Sequence, residues 1–364
     1  MNIVYTGLSY YPPEIGRTDI LKISNEAQKS NNVIVITKRL KGEKKVEKIS
    51  DNLTIYRLFS FGLNSILDDI FYSFYVPFFI FFKNIKVDIF HIYNPFYFGF
   101  IINILLKLLF IKSKIIFDIR TGPLKKGYKK VLNYILINLA HITSTKTIII
   151  SNNLLKHFFY VQKSKVHEIS LGFDNNYENI TKEINNEEGK KYIYIGSIYK
   201  RRNIDLMLKI FTKYFNEYNK DLLYILGGGD EEYVNNLKTE YKLKNIIFLG
   251  QVNQDNVGDY LLKSDYGVAY IPQVEYFMDQ PPLKTIEYLG YGLPTIGTNT
   301  NGNKVFINES NGVLSDDGID SFYDGLLKFR KKFEKGYSSK QITETIKKYS
   351  WENIFNEIYN NIYN

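Results

Sequence analysis

At 364 residues the chain is longer than one hydrophobic core usually serves, so two domains of roughly 170 residues each are expected. The absence of cysteine rules out a disulfide framework, a thiolate metal site and a cysteine nucleophile, and it suits a reducing cytoplasm. The formal charge of +9, spread along a chain with 31 Tyr and 26 Phe, is compatible with nucleic acid, an anionic membrane or a phosphorylated substrate. No helix-turn-helix, zinc-finger or RNP pattern accompanies it, so nucleic acid is not an expected partner.

The N-terminus enters an apolar strand with no basic segment and long apolar run ahead of it, so no secretory signal is expected. Strands are predicted at residues 2–6, 33–37, 53–59, 87–93, 114–119, 147–151 and 166–170, separated by helical stretches. That alternation argues for a doubly wound parallel sheet. The first strand runs into Tyr11, Pro12, Pro13 and Gly16 before a helix from about Thr18. Two apolar runs, 70–82 and 98–111, fall short of the roughly 18 to 20 residues that a membrane span needs. Ser73 and Pro77 interrupt the first, Asn103 and Lys107 the second. Their aromatics, with Lys83, Lys86 and Lys107 interleaved and Lys125, Lys126, Lys129 and Lys130 following, suit peripheral attachment to an anionic membrane surface; core packing is the alternative.

Asp118 and Arg120 fall at the carboxyl end of the strand 114–119, where parallel-sheet proteins bind ligands. A carboxylate there suits activation of a hydroxyl and an arginine suits a phosphate, with a structural ion pair as the alternative. His91 reads as a half-buried strand histidine. His141, His157 and His167 lack metal-ligand spacing, and the acidic pairs Asp68–Asp69 and Asp316–Asp317 read as solvated, so no metal site is expected.

The polar stretch 175–190 cannot bury a core and is taken as the linker between a first domain, 1–174, and a second, 191–349. The strand 192–195 runs into Gly196, Ser197, Ile198, Tyr199, Lys200, Arg201, Arg202 and Asn203, ahead of a helix from about Ile204. The strand 222–226 ends in Gly227, Gly228, Gly229 and Asp230, which is not the Gly-x-Gly-x-x-Gly spacing of a dinucleotide fold. Further strands are predicted at 245–249, 265–272 and 293–297. Between the last two, Asp279 and the pair Pro281 and Pro282 lead into a helix of about three turns from Leu283, closed by Gly290 and Gly292. Glu287 lies inside that helix with Lys284 three residues earlier on the same face. The remainder reads as largely helical, with Trp351 heading an amphipathic stretch at 350–364.

Asp279, seven residues, Glu287, followed by EYLGYGLPTIGT, resembles the carboxylate motif of GT-B glycosyltransferases of the family 4 (group 1) type. The Gly16 loop, the strands ending at His91 and Asp118, the Leu171–Asp174 hinge and the Gly196 loop are similar to the same family's counterparts. The resemblance implies an α/β GT-B fold, two Rossmann-like domains facing a cleft, with 350–364 crossing back to the first domain. It further implies donor contacts from Gly16, Gly196, Arg201, Arg202, Gly228, Gly229, Lys284 and Glu287, and catalytic positions at Asp279, Glu287, Asp118 and Arg120. In the family a Gly-Arg pair opens the diphosphate loop and a Lys-Gly pair closes it. Ser197 stands where the arginine is expected and Arg202 where the lysine is, so Lys200, Arg201 or Lys284 would have to replace the missing cation.

The activity implied is retaining, hexosyltransferase-type transfer from a UDP- or GDP-sugar to a saccharide acceptor. No separate cofactor and no metal are expected. Glu287 would bind the ribose, Arg202 the diphosphate and Asp279 the transferred sugar. The expected setting is cytoplasmic, peripheral on the inner membrane face, with a lipid-linked acceptor in cell-surface polysaccharide synthesis. A GT-B sugar-nucleotide epimerase, or a nucleotide-sugar-binding subunit without catalysis, remain the alternatives.

Overall fold

A computed structural model describes residues 1–8, 19–61, 66–93, 99–120, 128–174 and 189–364, which divide into two compact units. The first is Met1–Ser170 with Trp351–Asn364, and the second is Leu171–Ser350. The change of unit thus falls at Leu171, ahead of the polar stretch 175–190, of which 175–188 lie outside the described residues. Leu171–Asp174 joins the second unit because Phe173 finds its burial there, bridging Ser350 and lying against Gly290.

In chain order the first unit holds β1 (Asn2–Leu8), α1 (Asp19–Ala27), β2 (Asn32–Lys38), β3 (Val46–Ser50), β4 (Leu53–Leu58) and α2 (Ile66–Phe82). Then come β5 (Ile89–Tyr93), α3 (Gly99–Leu109), β6 (Lys114–Ile119), α4 (Tyr128–Thr143), β7 (Lys146–Ile149) and β8 (Val166–Glu168). The strand order is β3-β4-β2-β1-β5-β6-β7-β8, parallel except at the β3–β4 edge. Central strands read as continuous apolar runs, Ile3, Val4 and Tyr5 or Val33, Val35 and Ile36, because helices cover both faces of the sheet. β3 has no such run. It is an exposed edge strand turned back onto β4 through Asp51 and Asn52, so its burial pattern gave no sequence signal.

The β1–α1–β2 crossover steps along the sheet in the opposite sense to β5–α3–β6–α4–β7. Right-handed crossovers therefore place α1 on one face and α3 with α4 on the other. α2 packs beside α3, completing a layer of three helices.

The second unit continues with β9 (Lys191–Ile195), α5 (Ile204–Tyr214), β10 (Leu222–Leu226), α6 (Glu231–Glu240), β11 (Ile246–Gly250), α7 (Gln254–Leu262) and β12 (Tyr266–Ala269). It ends with α8 (Glu275–Met278), α9 (Leu283–Gly290), β13 (Thr295–Thr298), α10 (Asn301–Lys304), β14 (Gly312–Ser315), α11 (Ile319–Phe333) and α12 (Ser339–Glu344). Its six strands are all parallel, in the order β11-β10-β9-β12-β13-β14.

Two sequence expectations are corrected here. α9 has eight residues, nearer two turns than three, because the Tyr291 N–H closes back on the Glu287 carbonyl and Gly292 turns to φ +69. β14, four residues long and at the sheet edge, was not expected at all. Finally α13 (Trp351–Ile358) and a π-helical turn at Tyr359–Tyr363 belong to the first unit, where α13 packs on α1. No helix among the described residues is long and apolar enough to cross a membrane.

Candidate functional site

The second unit brings most of the expected donor residues to the carboxyl ends of its central strands. The chain leaves β9 through Gly196 and Ser197, and Ile198 pairs with Gly229 beyond β10. A 3₁₀ turn at Lys200–Arg202 follows, and Asn203 takes a left-handed conformation (φ 50°) before α5 begins. Asparagine tolerates that conformation better than most residues, which is why the turn closes without glycine.

Two glycines of the triplet are required by the packing of the chain itself. A Cβ on Gly227 would stand 2.0 Å from the Gly196 carbonyl oxygen, and one on Gly229 would stand 1.9 Å from that of Ile198. These glycines let two adjacent loops pack backbone to backbone, so the requirement is met within the protein whether or not a ligand is present. At Gly228 the space is bounded by Gln251, whose side-chain oxygen would lie 3.1 Å from an added Cβ.

α9 carries Lys284 and Glu287 against this loop. Its neighbour Tyr288 is fully buried, and the Ile195 N–H donates to the Tyr288 hydroxyl at 2.6 Å, fastening the helix to the end of β9. A second brace is Asn303 on α10. Its carboxamide accepts from the Thr285 hydroxyl (2.8 Å) and donates to the carbonyls of Ala269 (3.0 Å) and Thr298 (2.8 Å). One buried amide thus ties α9 to the ends of β12 and β13. Asn303 lies in no motif, and nothing in the sequence around it marks the role.

The Lys284 ammonium sits 3.9 Å from the centre of the Tyr194 ring and would lie 3.4 Å from a Cβ on Gly196. Among the described residues no carboxylate pairs with it. Burial, and then the charge of Arg202, push its pKa well below the ordinary lysine value. Arg202 has its guanidinium 4.3 Å from the Phe277 ring and likewise has no ion pair among the described residues. Two cations that destabilise each other and have no internal anion make a site for an external one. Arg201 stands apart. It is exposed and lies over Tyr199. Of the substitutes for a missing loop cation, Lys284 is therefore the one that reaches Gly196.

Glu287 is half-buried, and burial followed by the charge of Asp174 pushes its carboxyl up to about 7. Asp279 caps the C-terminus of α8, where Asn301 donates to it at 2.8 Å. Asn301, like Asp174, was not among the expected site residues; each acts through a neighbour brought close only by folding.

In the first unit the expected residues form one buried network, in which Asp118 Oδ1 and Arg120 Nε find no hydrogen-bond partner among the described residues. Asp118 is fully buried, accepting from Arg120 at 2.7 Å and from His91 at 3.0 Å. Burial opposes its charge, but Arg120 and His91 outweigh it and hold the carboxyl below its ordinary value. Arg120 also donates to the Ile169 carbonyl and faces Asp19 at 3.6 Å. His91 is fully buried rather than half-buried, and burial keeps it neutral. Its other ring nitrogen lies 2.5 Å from the Tyr363 hydroxyl, so the network also holds the C-terminal turn. Gly16 lies outside the described residues.

A second correction concerns Asp68 and Asp69. Instead of a solvated pair they meet the buried Lys38 ammonium at 2.6 and 2.8 Å, fixing the start of α2 to the end of β2. Asp316 is exposed and binds Gln273 and Asn299, in keeping with its solvated reading. Among the described residues no group of His, Cys, Asp and Glu is placed to hold a metal ion.

Two parallel-sheet Rossmann-like units, one with an unneutralised cation pair at its strand ends, define the class: the fold is that of GT-B glycosyltransferases. Residues 176–347 match the family model described as glycosyl transferases group 1. A search of curated proteins found no match. Among solved structures, the apo lipopolysaccharide outer core galactosyltransferase WaaB is similar at 14% identity and a TM-score of 0.74, over 100% of this chain and 99% of that one. The Anabaena protein HepE in complex with UDP has 12% identity and a TM-score of 0.74 over 98% of each chain. The catalytic domain of starch synthase IV from Arabidopsis thaliana, bound to ADP and acarbose, has 12% identity and a TM-score of 0.73 over 100% and 98%.

Proposed function

We propose that the protein is a retaining, hexosyltransferase-type enzyme that moves a sugar from a UDP- or GDP-sugar to a saccharide acceptor, lipid-linked, in cell-surface glycoconjugate synthesis. The observation that carries this reading is the pair Lys284 and Arg202, two cations without carboxylate partners among the described residues, beside the Gly196 loop. The similar proteins named above, a galactosyltransferase and complexes with UDP and ADP, support a nucleotide-linked donor.

In this reading the bond between the anomeric carbon and the diphosphate oxygen breaks while a new bond to the acceptor oxygen forms, and the proton of the acceptor hydroxyl passes to the departing diphosphate. Negative charge grows on the departing diphosphate, where Lys284 and Arg202 stabilise it, a preorganised electrostatic contribution. They do the work a divalent ion would otherwise do, so transfer is proposed to be metal-independent. Glu287 accepts from the ribose hydroxyls, and Asp279, oriented by Asn301, meets the transferred sugar. Asp118 and Arg120, closed into an ion pair, shape the first unit rather than exchange a proton.

Thermal-shift screening of UDP-, GDP- and ADP-sugars tests the donor, since a ligand at a hundred times its Kd adds about 2.7 kcal/mol of stability. Product analysis with a saccharide acceptor then tests transfer. No shift with any of these donors sinks the reading, and donor turnover without acceptor makes the protein an epimerase instead.

A further inference from the structure

We propose that the outward face of the α2–α3–α4 layer is a docking surface for an anionic lipid bilayer. The proposal rests on the transferase reading only for its purpose, bringing the enzyme to a lipid-linked acceptor; the binding itself is argued from this unit alone.

α2 is apolar on both sides. Its inner row, Tyr72, Val76 and Ile80, is fully buried on the sheet. Its outer row, Leu67, Phe71, Phe74, Phe78 and Phe82, follows the same helical period yet faces solvent, with Leu67 74% and Phe82 80% exposed. A helix that is hydrophobic all round calls for cover on its second side. α3 repeats the pattern with Ile104 and Leu108, and α4 with Leu132, Ile135 and Leu139, all exposed. Because α2 neighbours α3 and α3 neighbours α4, these rows adjoin, which distinguishes them from isolated surface hydrophobics.

Charge identifies what covers this face. Residues 66–174, from the start of α2, contain thirteen lysines and Arg120 against Asp68, Asp69, Asp88, Asp118, Glu168 and Asp174, fourteen cations less six anions, or +8. The whole chain carries +9, so everything outside this segment sums to +1. A second copy docking through the same face would bring two such excesses together and be repelled. An anionic bilayer meets both requirements at once, since side chains such as Phe78 enter the acyl boundary while Lys83, Lys86, Lys107 and Lys112, all exposed, reach head groups. On α2 a groove of about 410 Å³, lined by Tyr75, Phe78, Phe79, Phe82 and Lys83, offers an apolar floor with an ammonium at its rim, which suits an acyl chain beneath a phosphate.

The test uses the full chain with vesicles of phosphatidylcholine alone or mixed with phosphatidylglycerol. Sedimentation with the mixed vesicles at low salt, released by high salt and weak on neutral ones, is expected. Phe78→Ser combined with Phe82→Ser, at exposed positions, should lower binding on the order of tenfold, as should Lys83→Gln with Lys86→Gln, also exposed. A Phe78→Trp reporter should be quenched by brominated acyl chains, whereas native Trp351, in α13 away from the layer, should not. No sedimentation at low salt, indifference to the serine pair, or an unquenched reporter overturns the proposal. So does a dimer that the serine pair dissociates without any vesicle binding, which would give the face to a second copy. Nucleotide affinity measured on the same samples separates the two readings: its loss with sedimentation intact sinks the transferase assignment and leaves the docking surface standing.

Discussion

The two units share an architecture and differ in how they treat charge at the strand ends that carry the expected site residues; elsewhere the second unit too holds a matched buried pair, Arg330 with Asp221 at 3.1 Å. In the first, Asp118 is matched by Arg120 and His91, and Lys38 by Asp68 and Asp69. In the second, Lys284 and Arg202 press on each other, Glu287 is pressed by Asp174, and neither cation has an internal counter-ion among the described residues. Matched buried charges hold elements in place; unmatched ones cost stability and are relieved by a ligand. Similar residue types at similar strand ends are therefore neutralised in one unit and left without a counter-ion among the described residues in the other.

That contrast breaks most sharply if a matched charge is removed. Asp118→Asn leaves Arg120 enclosed without its principal partner, and urea denaturation should show a loss of about 3 to 5 kcal/mol. A loss below 1 kcal/mol would mean the network is solvated and the contrast false. In the second unit the expectation reverses. Lys284→Met and Arg202→Met should each weaken nucleoside diphosphate binding by about 1.5 to 3 kcal/mol, read by calorimetry, with no loss of folding stability. Unchanged affinity in both would remove the diphosphate site.

Glu287→Gln sharpens the comparison through pH. The folded carboxyl titrates at about 7 against 4.5 in the unfolded chain. The folded state thus holds an extra proton between those values, and the native protein loses stability as pH rises through that window. The variant should accordingly be more stable than native by on the order of 1 kcal/mol at pH 8, equal to it near pH 4, and weaker for the donor above about pH 7, where the native carboxyl is charged. A stability difference that does not change with pH contradicts the assignment. The smallest effect is expected from chelation: with two cations at the leaving group, EDTA should leave turnover unchanged, and rescue of a chelated enzyme by magnesium or manganese would overturn the metal-independent reading.

Local pattern made much of this legible. Apolar runs bounded by Gly and Pro located most strands within a residue or two, since a strand buried on both faces must be apolar throughout. The step from Asp279 to Glu287 marked the candidate site through its resemblance to a family motif, and helical spacing, a local property, put Lys284 on the face of Glu287. β3 and β14 escaped notice because edge strands need no apolar run.

What tertiary structure alone decided is which charges meet. Sequence could not say what Asp118 meets; Arg120 and His91 reach it only through the chain's own folding. The family resemblance set Arg202 apart from Arg201, but only the fold lays Arg201 over Tyr199 on the surface and Arg202 over Phe277. Asn303, whose neighbours come from α9, β12 and β13, has no sequence signature at all. Composition and periodicity are set by the solvent on each side of an element, which the chain encodes locally. Pairing of charges across elements depends on distances of a few ångströms between residues far apart in sequence, and those exist only once the core has packed.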